Sequence, residues 1–173
     1  MQQVKIAFIG AGNMAREHAR AFSDIPNVAL TGIFSRTRSR AEALAAEFNI
    51  ANIYNTIEDL WHGTQAQVLV ITVRELATNE ICKAAFHFPW LCLIEKPVGY
   101  NLCDAESIIK EAERRRARAY IALNRRHYAS TRAVLSEVEK INDRRLVQVF
   151  DQENPMVALE HGEHPLVANN YMY

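Results

Sequence analysis

The sequence predicts an α/β protein built on a doubly wound parallel sheet, and two features carry that prediction. Five short apolar runs are separated by segments whose apolar residues recur at helical spacing. Such alternation implies βαβ crossovers, and crossovers of this kind make parallel sheets. The second feature is a glycine-rich turn, Gly10-Ala11-Gly12-Asn13-Met14-Ala15, set between the first apolar run and the first helical pattern.

Taken in order, Val4 to Ile9 reads as a buried strand. Asn13 to Ser23 reads as a helix with Ala15, Ala19 and Phe22 on one face. Val28 to Phe34 is a second strand. Ser39 to Phe48 is a second helix, with Ala41, Leu44, Ala45 and Phe48 at i, i+3, i+4 and i+7. Thr56-Ile57-Glu58-Asp59 resembles a capping box opening a short helix. Val68 to Val73 is continuously apolar, as a central parallel strand should be. Ile81, Ala84, Ala85 and Phe88 form a further helical stripe, and Leu91 to Ile94 a fourth strand. Leu102 to Arg116 is a helix facing inward with Ala105, Ile108, Ile109 and Ala112, and Asn101 suits its N-cap. Ala119 to Leu123 is the fifth strand. A helix from Ser130 to Ile141 and a strand from Leu146 to Phe150 follow, and residues 152–173 read as loop. A domain boundary is expected between residues 1–123 and 124–173.

The 173 residues are 49% hydrophobic and 23% charged, enough for a real core. Formal net charge is zero, so nothing global favours nucleic acid or a membrane surface. Arg114-Arg115-Arg116 reads as a solvated helix C-terminus, where cations suit the dipole. Cys82, Cys92 and Cys103 are odd in number and lack Cys-x-x-Cys spacing. Reduced thiols and a cytoplasmic location fit better than a disulfide framework or a zinc site. A strand beginning at Val4 leaves no room for a signal peptide, and no apolar run reaches the length of a membrane span. A homo-oligomer is compatible with the sequence, which does not specify one.

The glycine turn leaves a strand and opens a helix, the context that gives a G-x-G-x-x-A pattern its meaning. Gly10 permits the tight turn, Gly12 keeps a side chain away from an approaching pyrophosphate, and Ala15 lets the helix pack close. The helix N-terminus offers free N–H groups to phosphates. The fold expected is therefore of the Rossmann type, and the partner a nicotinamide dinucleotide. A glycine turn without a ligand is the bland alternative. Cofactor choice is read at the end of the second strand, where an acid would suit NAD(H). Ser35-Arg36-Thr37-Arg38 stands there instead. Arginines at a helix start oppose its dipole unless an anion such as a ribose 2′-phosphate joins them. NADP(H) is favoured, with Arg36 and Arg38 as partners; NADP(H)-indifferent, solvated arginines and NAD(H) stay open.

Three stretches together resemble the Gfo/Idh/MocA oxidoreductases: the Gly10–Ala15 turn, Ser35-Arg36-Thr37, and Glu95-Lys96-Pro97 after the fourth strand. The resemblance covers residues 4 to 150. It implies a Rossmann domain followed by an α/β substrate and dimerisation domain, and hydride transfer between nicotinamide and a hydroxyl carbon of a sugar or cyclitol. It puts Gly10, Ala11, Gly12, Asn13, Met14, Ser35, Arg36, Arg38, Thr72, Glu95, Lys96 and Pro97 at the cofactor. Lys96 is also the implied catalytic residue beside the nicotinamide and the substrate hydroxyl. A lysine desolvated by an apolar strand is lowered in pKa and can polarise that oxygen; pairing with a surface acid is the alternative. Asn124 and Arg125, past the fifth strand, are candidate substrate residues, with capping and surface roles as the alternative.

Two departures accompany the resemblance. The family commonly has Thr-Pro and then a histidine after the third predicted strand, where this chain has Thr72-Val73-Arg74-Glu75-Leu76. The family's second catalytic pair, an acid and a histidine on a helix of the second domain, is expected beyond Tyr173. His161 and His164 flank Gly162-Glu163 and do not replace it; no third ligand accompanies them, so no metal site is expected. The expectation is a truncated member that binds cofactor with weak or no catalysis. A non-catalytic dinucleotide-binding module or regulatory remnant is the other reading.

Overall fold

The computed structural model describes residues 3–140 and the isolated positions 146, 148 and 160. Six strands form one parallel sheet: β1 (Val4–Ile9), β2 (Val28–Phe34), β3 (Ile53–Tyr54), β4 (Val68–Ile71), β5 (Leu91–Ile94) and β6 (Arg118–Ile121). Their order is β3-β2-β1-β4-β5-β6. The helices are α1 (Asn13–Ser23), α2 (Arg38–Phe48), α3 (Ile57–Thr64), α4 (Glu75–Ala85), α5 (Leu102–Arg115) and α6 (Ala129–Glu139), with a 3-10 turn at Asn124–His127. The chain divides after Ala122 into two units. The doubly wound parallel sheet expected of the sequence lies in the first.

Burial on both faces explains the continuously apolar strands. Along β1, Ile6 and Phe8 face α1 and α2, where they pack with Ala15, Ala19, Ala41 and Leu44. Ala7 and Ile9 face the other way, toward Leu60 of α3, Cys82 and Ala85 of α4 and Ile108 of α5. Side chains alternate along a strand, so a strand covered twice needs an apolar residue at every position. Helix starts behave as the caps predict. Thr56 accepts from the Asp59 N–H at 2.9 Å, and Asn101 accepts from the Asp104 N–H at 2.8 Å.

Some boundaries differ from expectation. The two-residue strand β3 carries no period and escaped the pattern; it holds because the Ile33 N–H donates to the Asn52 carbonyl at 3.0 Å. β4 stops at Ile71 rather than Val73: Thr72 still donates to the Ile9 carbonyl, but Arg74 is already the N-cap of α4. β6 starts one residue earlier than expected, at Arg118, and ends two residues earlier, at Ile121. Of the strand expected from Leu146 to Phe150, only Leu146 and Gln148 are described, and neither is in a strand. Of the loop expected over residues 152–173 only Glu160 is described, and it is helical; His161 and His164 lie outside the described residues. Among the described residues, no helix is long and apolar enough to cross a membrane.

Candidate functional site

β1 and β4 are neighbours, yet β1 leads into a helix on one face and β4 into a helix on the other. Chains parting in this way open a crevice at the carboxyl ends of the strands. Gly10 and Thr72 sit at that crevice. Gly10 donates its N–H to the Phe34 carbonyl at 2.8 Å and has φ +104°. A Cβ on it would collide with the Thr72 carbonyl oxygen and lie 2.7 Å from Thr72 Oγ1, so both conformation and space require glycine. The Thr72 hydroxyl donates to the Ile9 carbonyl at 3.2 Å.

Gly12 differs. It is exposed, it is the N-cap of α1, and a Cβ there would meet nothing within 4 Å. Nothing inside the described chain demands glycine at position 12, and the space above its backbone is open. Ala15 is fully buried, which holds α1 against the sheet. The first turn of α1 has no acidic residue and Gly12 makes no side-chain cap, so the helix end offers its N–H groups and positive dipole to an anion. Ala11 is half-buried, while Asn13 and Met14 are exposed beside the turn. This cradle fits the pyrophosphate of a dinucleotide.

At the end of β2 the two arginines part company. Arg38 Nε donates to Glu42 Oε1 and its Nη1 to Asn55 Oδ1, both at 3.0 Å. Arg36 is exposed and has no such partner among the described residues. Ser35 Oγ accepts from the Thr37 N–H at 3.3 Å.

The segment after β5 is held from two sides. Glu95 is buried: Oε1 lies 2.8 Å from His18 Nε2 of α1, and Oε2 accepts from the Lys96 N–H at 3.1 Å. Further on, Gly99 has φ +84°, Asp104 Oδ2 accepts from the Tyr100 N–H at 3.1 Å, and Asp104 Oδ1 accepts from Asn79 of α4. The Lys96–Pro97 bond is cis. Lys96 is exposed rather than set against the apolar strand as expected: β5 ends at Ile94, and Glu95 rather than Lys96 is buried. Asn124 and Arg125 fall in the exposed 3-10 turn that opens the second unit.

Residues 4–123 match the GFO_IDH_MocA family, described as an oxidoreductase family with an NAD-binding Rossmann fold. The chain belongs to this family. Among curated relatives of the Gfo/Idh/MocA chain, glucose-6-phosphate 3-dehydrogenase of Bacillus subtilis is 29% identical over 123 residues, 71% of this chain and 34% of that protein. Inositol 2-dehydrogenase of Salmonella typhimurium is 24% identical over 122 residues, 69% of this chain and 36% of that protein. The chain thus spans about a third of the length of these relatives. Among solved structures, myo-inositol dehydrogenase from Lactobacillus casei, in complex with NAD(H) and myo-inositol, shares the fold with TM-score 0.74. Its identity is 18%, and the match covers 80% of this chain and 42% of that one.

Sequence reasoning missed His18, although a signal for it was present. Ala15, His18, Ala19 and Phe22 stand at i, i+3, i+4 and i+7, so the histidine occupies one position of the inward stripe. A polar group on a buried face needs a partner, and Glu95 is that partner. Cys82 and Cys92 are free thiols in the core, where burial pushes both up to about 12; Cys103 is free and exposed.

Proposed function

We propose that this chain binds a nicotinamide dinucleotide at the carboxyl edge of its sheet and serves hydride transfer to or from a hydroxyl carbon of a sugar or cyclitol. The observation that carries the reading is Gly12: glycine at the tip of the turn, with open space above it, answers to a phosphate outside the chain. The bound nicotinamide would supply the hydride acceptor or donor. In this reading Gly10, Ala11, Gly12, Asn13, Met14 and Thr72 form the pyrophosphate crevice, and Glu95, Lys96 and Pro97 border the nicotinamide. Exposed at the crevice edge, Lys96 takes up or returns the proton of the reacting hydroxyl.

Arg36 supports a preference for NADP(H) over NAD(H), because an exposed guanidinium past β2 can meet a 2′-phosphate by a paired hydrogen bond. Arg38 plays a lesser part, since Glu42 and Asn55 already engage it. Residues 1–123 would be the cofactor domain and 124–173 the beginning of a substrate domain, with Asn124 and Arg125 facing substrate. Free thiols accord with a cytoplasmic location.

A finer part of the proposal is that this 173-residue chain binds cofactor but turns over polyols slowly or not at all. It spans about a third of its curated relatives, and orientation of the substrate carries much of any hydride-transfer rate. The second reading is a non-catalytic dinucleotide-binding module. The test is reduction of NADP+ and NAD+ across a panel of sugars and cyclitols, with wild type and Lys96→Ala. Slow turnover abolished by Lys96→Ala supports the enzyme reading. Tight cofactor binding with no turnover by either favours the module, and robust turnover by the wild type overturns the finer part.

A further inference from the structure

The polar contact between α1 and the end of β5 joins the two halves of the proposed cofactor site. His18 lies on the helix that begins at the glycine turn, and Glu95 immediately precedes Lys96. The side chains are 18% and 9% exposed, and the imidazole Nε2 stands 2.8 Å from Oε1. A carboxylate can only accept, so the ring nitrogen donates. The second carboxylate oxygen takes the backbone N–H of Lys96 at 3.1 Å. Glu95 therefore spends both oxygens inside the protein, one on each side of the crevice. A buried carboxyl that lost one partner would turn to find another, and the backbone it holds among the described residues is that of Lys96.

We propose that His18 is a positioning residue: through Glu95 it fixes the Lys96 backbone relative to the helix that receives the pyrophosphate. The inference rests on the proposed dinucleotide site and adds to it a link between the phosphate half and the nicotinamide half. A dinucleotide spans both halves. An adenosine diphosphate fragment reaches only the first. His18→Ala therefore leaves the fragment's affinity intact and weakens the whole cofactor, because the Lys96 turn no longer stands where the nicotinamide end arrives. A residue that merely holds α1 in place would weaken fragment and cofactor alike.

The experiment titrates 2′,5′-ADP and NADPH into wild type, His18→Ala and His18→Gln, with thermal unfolding of each. Glutamine keeps a side-chain N–H donor for Glu95. For His18→Ala the expected result is about a tenfold weaker NADPH, the size of one hydrogen bond to a charged group, with 2′,5′-ADP changed less than about twofold. His18→Gln recovers most of the NADPH affinity. Equal losses for both ligands in His18→Ala, or no recovery in His18→Gln when it melts like wild type, overturn the positioning role while leaving the dinucleotide site standing. Failure of the wild type to bind either ligand, and NADH and ADP in their place, overturns the site itself and this inference with it. Should His18→Ala fail to fold, His18→Asn, whose shorter side chain withdraws the donor from Glu95, takes its place: NADPH weakened at least about threefold more than 2′,5′-ADP supports the role, and equal losses of both overturn it.

Discussion

The two ends of one sheet are built to opposite rules. At the amino edge, ahead of β5, Trp90 is 1% exposed and donates its indole N–H to the Ala85 carbonyl at 2.7 Å. Trp61 meets it edge-on with centroids 5.2 Å apart, and Phe88 stands 5.3 Å away. Here large side chains interlock and polar groups are satisfied within the chain. At the carboxyl edge the chain supplies glycines, an exposed Met14, an exposed Arg36 and an exposed Lys96. What is packed at one end is left open at the other. The lesson is a division of labour: the amino edge carries folding energy, and the carboxyl edge keeps backbone and charge available to a ligand.

Substitutions should divide along the same line. Trp90→Ala has the largest expected effect, a loss of about 3–5 kcal/mol of stability from the cavity and the broken indole hydrogen bond. Urea unfolding measures it. Cofactor affinity of the folded fraction should stay within about twofold of wild type at that distance from the crevice. A Trp90→Ala protein that folds as well as wild type would break the comparison at its stable end.

Arg36→Ala should do the reverse. Loss of one charge-assisted contact to a 2′-phosphate is worth about 1.5–3 kcal/mol, so NADPH affinity should fall at least about tenfold while NADH affinity and the unfolding curve barely move. Parallel titrations of the two cofactors check this, and identical affinities of the wild type for both would reduce Arg36 to an ordinary surface residue.

The smallest effect expected is an alkaline loss of stability at the packed half. Cys82 and Cys92 rise from the ordinary 9.0 to about 12, by desolvation first and, for Cys82, by the neighbouring Cys92 and Asp104. Their folded forms hold protons that the unfolded chain releases. This stabilisation is complete below pH 9 and is lost progressively between pH 9 and about 12. By pH 10 it should cost about 1 kcal/mol per thiol. Comparing urea unfolding at pH 7 and pH 10 for wild type and a Cys82→Ala, Cys92→Ala variant isolates the contribution. The same pH dependence in both would assign the loss to other groups.

Legibility in the sequence follows the same division. Strands β1, β2 and β5 and helices α1 and α2 could be read to within a residue, because a core faced from two sides imposes period and continuity. The glycine turn could be read because its steric demands are local. Two things could not. β3 has two residues, too few for any period, and depends on the Tyr54 ring packing against Gly32 and Gly63 across the fold. The His18–Glu95 contact joins residues 77 positions apart, and only the folded sheet brings them together. Arg38 illustrates a subtler limit. Its charge was legible, but not that Asn55, far along the chain, would help engage it.

The central claim is that the open carboxyl edge exists for a dinucleotide, and calorimetric titration of NADPH into wild type and Gly12→Val tests it most directly. Valine accepts the extended backbone at position 12, with φ −95° and ψ −169°, and would start in space with no atom within 4 Å. As a helix N-cap it costs no more than about 1 kcal/mol. The expected result is clear binding by the wild type, weakened at least about 100-fold in Gly12→Val, with thermal unfolding lowered by about 5 °C at most. Equal binding by both chains, or binding of neither NADPH nor NADH by the wild type, would contradict the claim that position 12 is glycine for a phosphate's sake.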